Sequence, residues 1–214
     1  MWIKICGITT LDDALMVADA GASAIGLNFY PPSPRSIPTD TATQIADAVK
    51  DRLEIVGVFV DFPPEQVAQI TRTVGLNTVQ LHGNESADDV VKLHDLLPDQ
   101  QLIRAIRIGR DATPLKTAAE SLHDLPLTAL LVDAFVPDQL GGTGRTVAPE
   151  LLVDHQHVTE KLILAGGLRP DNVQSAVQQV RPWGVDAASG VESEPGRKSA
   201  TMVHDFIAAC RAVD

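Results

Sequence analysis

Cysteine is scarce in this chain, and its scarcity limits the class of protein. The only two cysteines are Cys6 and Cys210, so a disulfide framework of the kind that holds small secreted domains together is excluded. Long apolar runs are also missing, since no stretch approaches the roughly 18 residues that a membrane span needs. The first residues show no basic-then-apolar signal pattern. We therefore expect a cytoplasmic protein with reduced thiols and no membrane partner.

Positive charge is in short supply as well. The formal net charge is −11, which argues against nucleic acid as a partner, because phosphate-backbone binding needs clustered Lys and Arg. A phosphate-bearing ligand would meet an unfavourable overall field, so local backbone N–H groups and a few arginines would have to attract it.

Metal-binding and hydrolase motifs are missing too. The six histidines are scattered, with no His-Glu-x-x-His or Cys-x-x-Cys spacing, and we expect no metal. No Gly-x-Ser-x-Gly nucleophile motif occurs either.

Short β-branched runs recur at even spacing, each followed by a helical pattern. Most are continuously apolar, which is typical of parallel strands buried on both faces. The predicted strands are Trp2–Cys6, Ala24–Phe29, Ile55–Val60, Thr78–Leu81, Leu102–Arg107, Ala129–Asp133, Lys161–Ala165 and Gly184–Ala187.

Strict alternation of strand and helix predicts a parallel α/β sheet, and eight such units predict a closed (β/α)₈ TIM barrel. An open doubly wound sheet is the competing fold, but no Gly-x-Gly-x-x-Gly follows the first strand. No linker or low-complexity segment divides the chain, so we expect a single domain over residues 1–214. Candidate helix starts are an N-cap at Thr10, Thr39 or Ser86 and a proline at the first helical position, Pro170.

Cys6 lies where the first strand ends and a helix is about to begin. The positive end of a helix dipole favours a thiolate, so this position suits a reactive thiol as well as a packing residue. Cys210, in the last predicted helix, is interpreted as a packing residue.

Glycine clusters follow three consecutive late strands. They are Gly141–Gly144 after the sixth strand, Gly166 and Gly167 after the seventh, and Gly190, preceded by Ser189, after the eighth. In TIM barrels the loops after strands seven and eight often hold phosphate, and glycines let backbone N–H groups approach an anion closely. The clusters predict a phosphate site.

Polar side chains at other strand ends each have two interpretations. Asp133 is either a loop-fixing acid or a site acid, and Arg35, in a proline-rich loop, is either a solvated cation or a carboxylate ligand. His82, just past the fourth strand, is either structural or in contact with ligand. Asp186, within the eighth strand, is expected either to be a buried, hydrogen-bonded residue or to lie under the site.

Taken in order, these segments closely resemble the phosphoribosylanthranilate isomerase family of tryptophan biosynthesis. The matching segments are Lys4–Thr9, Ser33–Ile37, Val56–Val60, Val79–Gly83, Gly141–Gly144, Leu164–Leu168 and Ser189–Glu192. The resemblance implies a (β/α)₈ barrel that performs an Amadori rearrangement on a small phosphoribosyl substrate without a cofactor. It implies Cys6 as general base, Asp133 as general acid and Arg35 as the contact to the anthranilate carboxylate. His82, from its place after the fourth strand, is included among the expected substrate-binding residues. The phosphate is then expected at Gly142, Thr143, Gly144, Gly166, Gly167, Ser189 and Gly190.

The chain departs from the family pattern at a few positions. Ala188 stands where a serine is usual, Ala187 replaces a bulkier residue, and Ser199 replaces an acid. None of these is the proposed acid or base.

Other barrel functions remain as alternatives. Indole-glycerol-phosphate synthase chemistry needs a lysine at a strand end, whereas Lys4 and Lys161 lie early in their strands. The histidine-pathway isomerase is expected to have an acid in place of Cys6. A non-catalytic sugar-phosphate-binding barrel would keep the glycine loops without needing the thiol and the acid together. Monomer and homodimer are both compatible with the sequence.

Overall fold

The computed structural model describes residues 1–108, 122, 124–133 and 161–213. Within them, eight parallel strands form a closed barrel in chain order, as the sequence predicts. They are β1 (Trp2–Cys6), β2 (Ala24–Asn28), β3 (Glu54–Phe59), β4 (Thr78–Leu81), β5 (Gln101–Arg107), β6 (Ala129–Asp133), β7 (Leu162–Ala165) and β8 (Gly184–Ala187).

The barrel closes where the first strand pairs with the last. Lys4 lies opposite Asp186, and Ile5 lies opposite Ala187, in parallel register. On its other side β1 pairs with β2, where Cys6 lies opposite Gly26. Because every strand is parallel, the carboxyl ends of all eight reach the same face of the barrel.

The described helices cover the outside of this barrel. They are α1 (Leu11–Ala20), α2 (Thr39–Val49), α3 (Pro64–Val74), α4 (Ala87–Leu96), α5 (Val173–Val180) and α6 (Ala200–Arg211). After β8 come a short 3₁₀ turn (Ser189–Val191) and a hairpin of β9 (Glu192–Glu194) and β10 (Arg197–Lys198). No helix in the described part of the chain is long and apolar enough to cross a membrane.

Two apolar clusters follow from the alternation of side chains along each strand. Ile3 and Ile5 belong to the large cluster between strands and helices, so Trp2, Lys4 and Cys6 face the barrel axis. The interior is apolar near β5, β6 and β7, where the cluster consists of Ile103, Ala105, Ala129, Leu131, Ile163 and Ala165.

Near β1, β3, β4 and β8 the interior carries polar residues instead. Glu54 accepts hydrogen bonds from Trp2 Nε1 at 2.9 Å and from Thr78, and Lys4 pairs with Asp186. Each of these inward-facing polar groups therefore has a partner inside the barrel.

Strand limits differ from the predicted ones by a single residue. Phe29, Val60 and Lys161 fall outside strands, and Glu54 and Gln101 fall inside them.

Two helix starts were predicted wrongly. Thr39 is the first residue of α2, and the N-cap position belongs to Pro38. Pro170 does not open α5, because a turn intervenes and the helix begins at Val173. Thr10 and Ser86 do cap α1 and α4, with Ser86 and Asp89 forming a complete capping box.

Candidate active site

A cavity of about 390 Å³ lies at the carboxyl end of the barrel and is lined by strand ends and the loops after them. Cys6, Arg35, His82, Asp133, Gly166, Gly167, Ser189 and Gly190, all predicted from the sequence, line it together. The cavity is also lined by Asn28, Tyr30, Ser33, Val58, Val60, Gln80, Arg107, Ala165, Leu168, Asp186 and Ala188. The predicted Gly142, Thr143 and Gly144 lie outside the described residues.

Cys6 ends β1 at the floor of this cavity and is partly exposed. The helix that follows begins at Leu11, as the Thr10 cap predicts, but the pKa of the thiol lies above its ordinary value and not below it. Loss of hydration is the largest cause of this increase, and the nearby Lys4 ammonium opposes it. In the resting barrel Cys6 is therefore a protonated thiol with a cation beside it.

Arg35 reaches the cavity from the loop after β2. Gly7 has a φ of 75°, and a Cβ at that position would overlap Cδ of Arg35, so the arginine stem packs directly over the glycine. Its Nε and Nη2 atoms donate to the carboxylate of Glu192 at 2.8 and 2.6 Å. This bidentate contact uses one edge of the guanidinium and leaves the Nη1–Nη2 edge oriented for a second carboxylate.

Glu192 is the centre of a small charged cluster. It also accepts from Lys198 Nζ at 2.7 Å, and the same ammonium donates to the carbonyl of Ala188 at 3.2 Å. Burial of Glu192 opposes its ionisation, but the hydrogen bonds from Arg35 and then from Lys198 prevail, and its pKa is lowered. Burial lowers the pKa of Lys198, and Glu192 counteracts that effect.

Asp133 ends β6 and is held near His82 on the far side of the cavity from Cys6. Its Oδ2 lies 3.5 Å from His82 Nε2, and His82 Nδ1 lies 2.8 Å from Gln80 Nε2. The His82 ring therefore lies between the Gln80 amide and the Asp133 carboxyl group, within reach of both.

The loops after β7 and β8 approach each other closely. Gly166 and Gly167 have φ angles of 92° and 64°, which favour glycine. A Cβ at Gly190 would overlap the carbonyl oxygen of Leu168, so the two backbones touch there. Exposed backbone N–H groups on such loops suit an anion.

Several lining residues carried no clear sequence signal. Gln80 lies within an apolar strand, and Asn28, Tyr30 and Arg107 are ordinary in sequence. Asp186 is buried and bonded to Lys4 at 2.9 Å beneath the site, as the sequence indicated. Alternate residues of each strand face the barrel axis. Counting them from Cys6 or Asp133 is the one sequence argument that identifies these lining residues.

A shallower hollow lies at the opposite end of the barrel, beside the stacked rings of Trp2 and Trp183. Among the described residues, neither a cysteine nor a carboxylate lines it. In the described part of the chain no group of three His, Cys, Asp or Glu side chains could hold a metal ion.

Fold and cavity together define a TIM-barrel protein whose site combines acid, thiol and anion-binding loops at the carboxyl ends of its strands. The family model described as N-(5'phosphoribosyl)anthranilate (PRA) isomerase matches residues 3–209. This chain belongs to that family.

Individual relatives agree with this assignment. The N-(5'-phosphoribosyl)anthranilate isomerase of Trichlorobacter lovleyi is 42% identical over 205 residues, covering 96% of this chain and 95% of the relative. The phosphoribosyl anthranilate isomerase from Thermotoga maritima has 35% identity and a TM-score of 0.90, with 99% of each chain covered. A second solved isomerase, with 33% identity, a TM-score of 0.87 and 99% of each chain covered, is in complex with reduced 1-(o-carboxyphenylamino)-1-deoxyribulose 5-phosphate.

Proposed function

We propose that this chain, as one catalytic domain over residues 1–214, converts N-(5-phosphoribosyl)anthranilate to 1-(2-carboxyphenylamino)-1-deoxyribulose 5-phosphate in tryptophan biosynthesis. The observation that carries the proposal is that Cys6 and Asp133, on strands separated by β7 and β8, line one cavity. Family membership supports the reaction. The relative complexed with the reduced product analogue supports a substrate of this chemical class.

The first step needs a proton donor. In the proposal, Asp133 gives its proton to the ribose ring oxygen, the C1–O bond breaks, and the nitrogen lone pair forms an iminium. The contact from His82 fixes the carboxyl group in the cavity. A positioned acid of this kind typically contributes about 10²–10⁴-fold.

The second step needs a base at C2′. The Cys6 thiol first loses its proton to solvent, and the resulting thiolate takes the C2′ proton. The electron pair of the C–H bond then neutralises the iminium to an enolamine. The enolamine then gains a proton at C1′ and loses its hydroxyl proton, which gives the ketone. Acid and base act from opposite sides of the cavity, so neither has to cross it.

The remaining polar groups are proposed to hold the substrate. The open guanidinium edge of Arg35 binds the anthranilate carboxylate, and the loops of Gly166, Gly167 and Gly190 bind the phosphate. Ser189 lines the same region, and Gly142, Thr143 and Gly144 are proposed to complete the phosphate site.

Two buried oxygens, Gln80 Oε1 and Asp186 Oδ1, have no hydrogen-bond partner among the described residues, although both side chains line the cavity. They are suited to accept from the sugar hydroxyls.

The proposal extends to the location and the oligomeric state of the enzyme. A small molecule is its substrate, and a cytoplasmic location is proposed from the pathway. A Thermotoga maritima relative is described as dimeric, and a homodimer or a monomer is proposed here. Sedimentation of the purified chain separates these two states.

Turnover of phosphoribosylanthranilate, generated in situ and followed by loss of its fluorescence, tests the activity. We expect Cys6→Ser and Asp133→Asn to lower kcat by about 10²–10⁴-fold each with little change in KM, as loss of a proton-transfer group does. Cys210→Ala is the matched control, because Cys210 is fully buried in α6, outside the cavity; it should retain wild-type kcat.

Absence of turnover by folded wild-type protein would contradict the proposed reaction. If that protein still bound the substrate, a non-catalytic sugar-phosphate-binding barrel would be the better description. Full activity in Cys6→Ser or Asp133→Asn would instead overturn the roles assigned to those two residues.

A further inference from the structure

A buried ammonium group lies directly beneath the thiol. Lys4 precedes Cys6 by two positions on β1, so both side chains face the barrel axis. The Lys4 side chain has no exposed surface, and its Nζ lies 2.9 Å from Asp186 Oδ2. Although its backbone lies early in the strand, its long side chain extends along the axis toward the cavity floor.

Lys4 and Cys6 meet against one glycine. A Cβ built on Gly26 would lie 2.7 Å from Cys6 Sγ and 3.0 Å from Lys4 Cε. The absence of a side chain at position 26 therefore lets the ammonium stem and the sulfur share one space. The end of the Lys4 side chain and the Cys6 sulfur are therefore neighbours inside the barrel.

The surrounding charges favour a permanently protonated lysine. Burial by itself lowers the pKa of Lys4, but the charges of Asp186 and Cys6 outweigh burial and its pKa is raised. A thiolate formed by Cys6 would lose much of its hydration, and a buried charge without a partner is costly. Lys4 is positioned to be that partner.

We propose that Lys4 is a positioning residue that serves as the counter-ion of the Cys6 thiolate, with Asp186 holding its ammonium in place. The proposal rests on the proposed function, in which Cys6 is the base. It also predicts opposite effects for the two members of the ion pair: removing Lys4 disfavours the thiolate, and removing the Asp186 charge favours it. A pair that only stabilised the barrel would not have opposite effects on the sulfur.

Alkylation of the thiol tests this without relying on turnover. The rate of Cys6 modification by iodoacetamide is measured against pH, with the modified peptide identified by mass spectrometry. Only the thiolate reacts, so the midpoint of the profile reports the pKa of Cys6. Cys210 is the internal reference, because burial raises its pKa to about 12.

Other charged groups near the sulfur must stay unchanged in these variants. They are Lys198 on β10, Arg35 and its partner Glu192, and His82 and Asp133 across the cavity.

We expect Lys4→Met to move the midpoint up by about one pH unit or more, and Asp186→Asn to move it down. The double variant Lys4→Met/Asp186→Asn avoids an unpaired buried carboxylate, and urea unfolding identifies which variants are folded. In the folded double variant the midpoint should still lie above that of Asp186→Asn. Equal midpoints, or shifts of the single variants in the same direction, would overturn the counter-ion role.

Turnover supplies the second readout. Lys4→Met, or the double variant if the single one does not fold, should lower kcat at least tenfold, with KM within about threefold, since Lys4 acts through the base and not on the substrate. Wild-type turnover reports on the proposed function separately from the alkylation profile. A shifted profile with unchanged kcat would overturn the part of the proposal that rests on the proposed function, namely that the Cys6 thiolate is the base of the reaction.

Discussion

Gly190 shows how a single residue sets the shape of the cavity. Its α-carbon lies so close to Leu168 that any side chain would overlap the carbonyl oxygen of that residue. The neighbouring atom belongs to the backbone, so it cannot move aside as a flexible side chain can. The loops after β7 and β8 are therefore locked together at this point.

We expect Gly190→Ala to raise KM at least tenfold and to lower stability by about 1–3 kcal/mol, the usual cost of overpacking. The loops must separate, and backbone N–H groups proposed to bind phosphate move with them. KM and urea unfolding are measured together for this variant.

Gly75→Ala is the matched control. Gly75 has a positive φ of 75°, and, unlike at Gly190, a Cβ there would have no neighbour within 4 Å. We expect a loss of about 1–2 kcal/mol from backbone strain alone, with KM unchanged. An equal rise of KM in both variants would show that general destabilisation, and not loop separation, affects binding.

At the residue scale, some of the side chains that line the cavity can be predicted from the sequence and others cannot. Cys6, His82, Asp133 and Gly190 follow recognisable strands, and all of them line the cavity. Lys4 lies early in its strand, as the sequence indicates, but its Cε reaches Gly26 beside Cys6, because sequence position locates a Cα and not the end of a four-carbon side chain. Other polar side chains line the cavity from positions within strands, and the sequence around them does not mark them as site residues.

At the scale of elements, the β9–β10 hairpin connects loops that are distant in sequence. Thr9 donates to the carbonyl of Gly196 at 2.6 Å, and the Lys198 backbone N–H donates to Asp13 at 3.1 Å. Through Glu192 the hairpin also holds Arg35. The hairpin thus fixes a cation that lines the cavity, although the two lie far apart in the chain.

We expect Glu192→Gln to raise KM about tenfold with a smaller change in kcat, since loss of one charge-assisted contact corresponds to about 1.5–3 kcal/mol at most. Glu194→Gln is the control on the same hairpin, because Glu194 is exposed and pairs only loosely with Arg197 at 3.7 Å. Equal KM values for both variants would contradict the positioning of Arg35 by Glu192.

The same substitution also predicts a pH dependence of stability. The pKa of Glu192 is lowered in the folded state, so its contribution is present above the ordinary value of 4.5 and is lost as the pH falls through the folded value. Wild-type protein should therefore be more stable than Glu192→Gln at neutral pH, and the difference should shrink on acidification. Urea unfolding at several pH values measures it, and a constant difference would contradict this sign.

Strands and helix starts can be predicted where the residues that mark them are close together in the sequence. Buried parallel strands leave apolar runs, and the Ser86 capping box marks a helix start directly. Thr39 and Pro170 are also compatible with helix starts, but neither residue specifies whether the first turn closes there or a few residues away. The hairpin that fixes Arg35 had no sequence signal, because its contacts lie up to 187 residues apart.

At the scale of the whole molecule, the number of strand–helix units predicts a closed barrel. The contacts that close it join residues far apart in the chain, and no local sequence pattern predicts such contacts. Lys4 and Asp186 lie 182 residues apart in the chain, and they join the first strand to the last. The sequence could indicate how many strands there are; only the folded chain shows that two isolated polar residues are partners beneath the site.

The overall charge leads to the last prediction. The chain carries a net charge of −11, and its proposed substrate carries a phosphate and a carboxylate, so long-range forces oppose encounter. Salt at about 0.15 M limits such forces to roughly 8 Å, whereas direct contacts with Arg35 and the glycine loops act at hydrogen-bond distance.

We expect kcat/KM to rise as NaCl is increased from about 20 to 150 mM, a range over which the Debye length falls by more than half. Sucrose at matched viscosity is the control, and sulfate is avoided because it would compete for the phosphate site. A steady fall of kcat/KM over this range would mean that the cations at the cavity mouth, and not the acidic surface, govern the encounter.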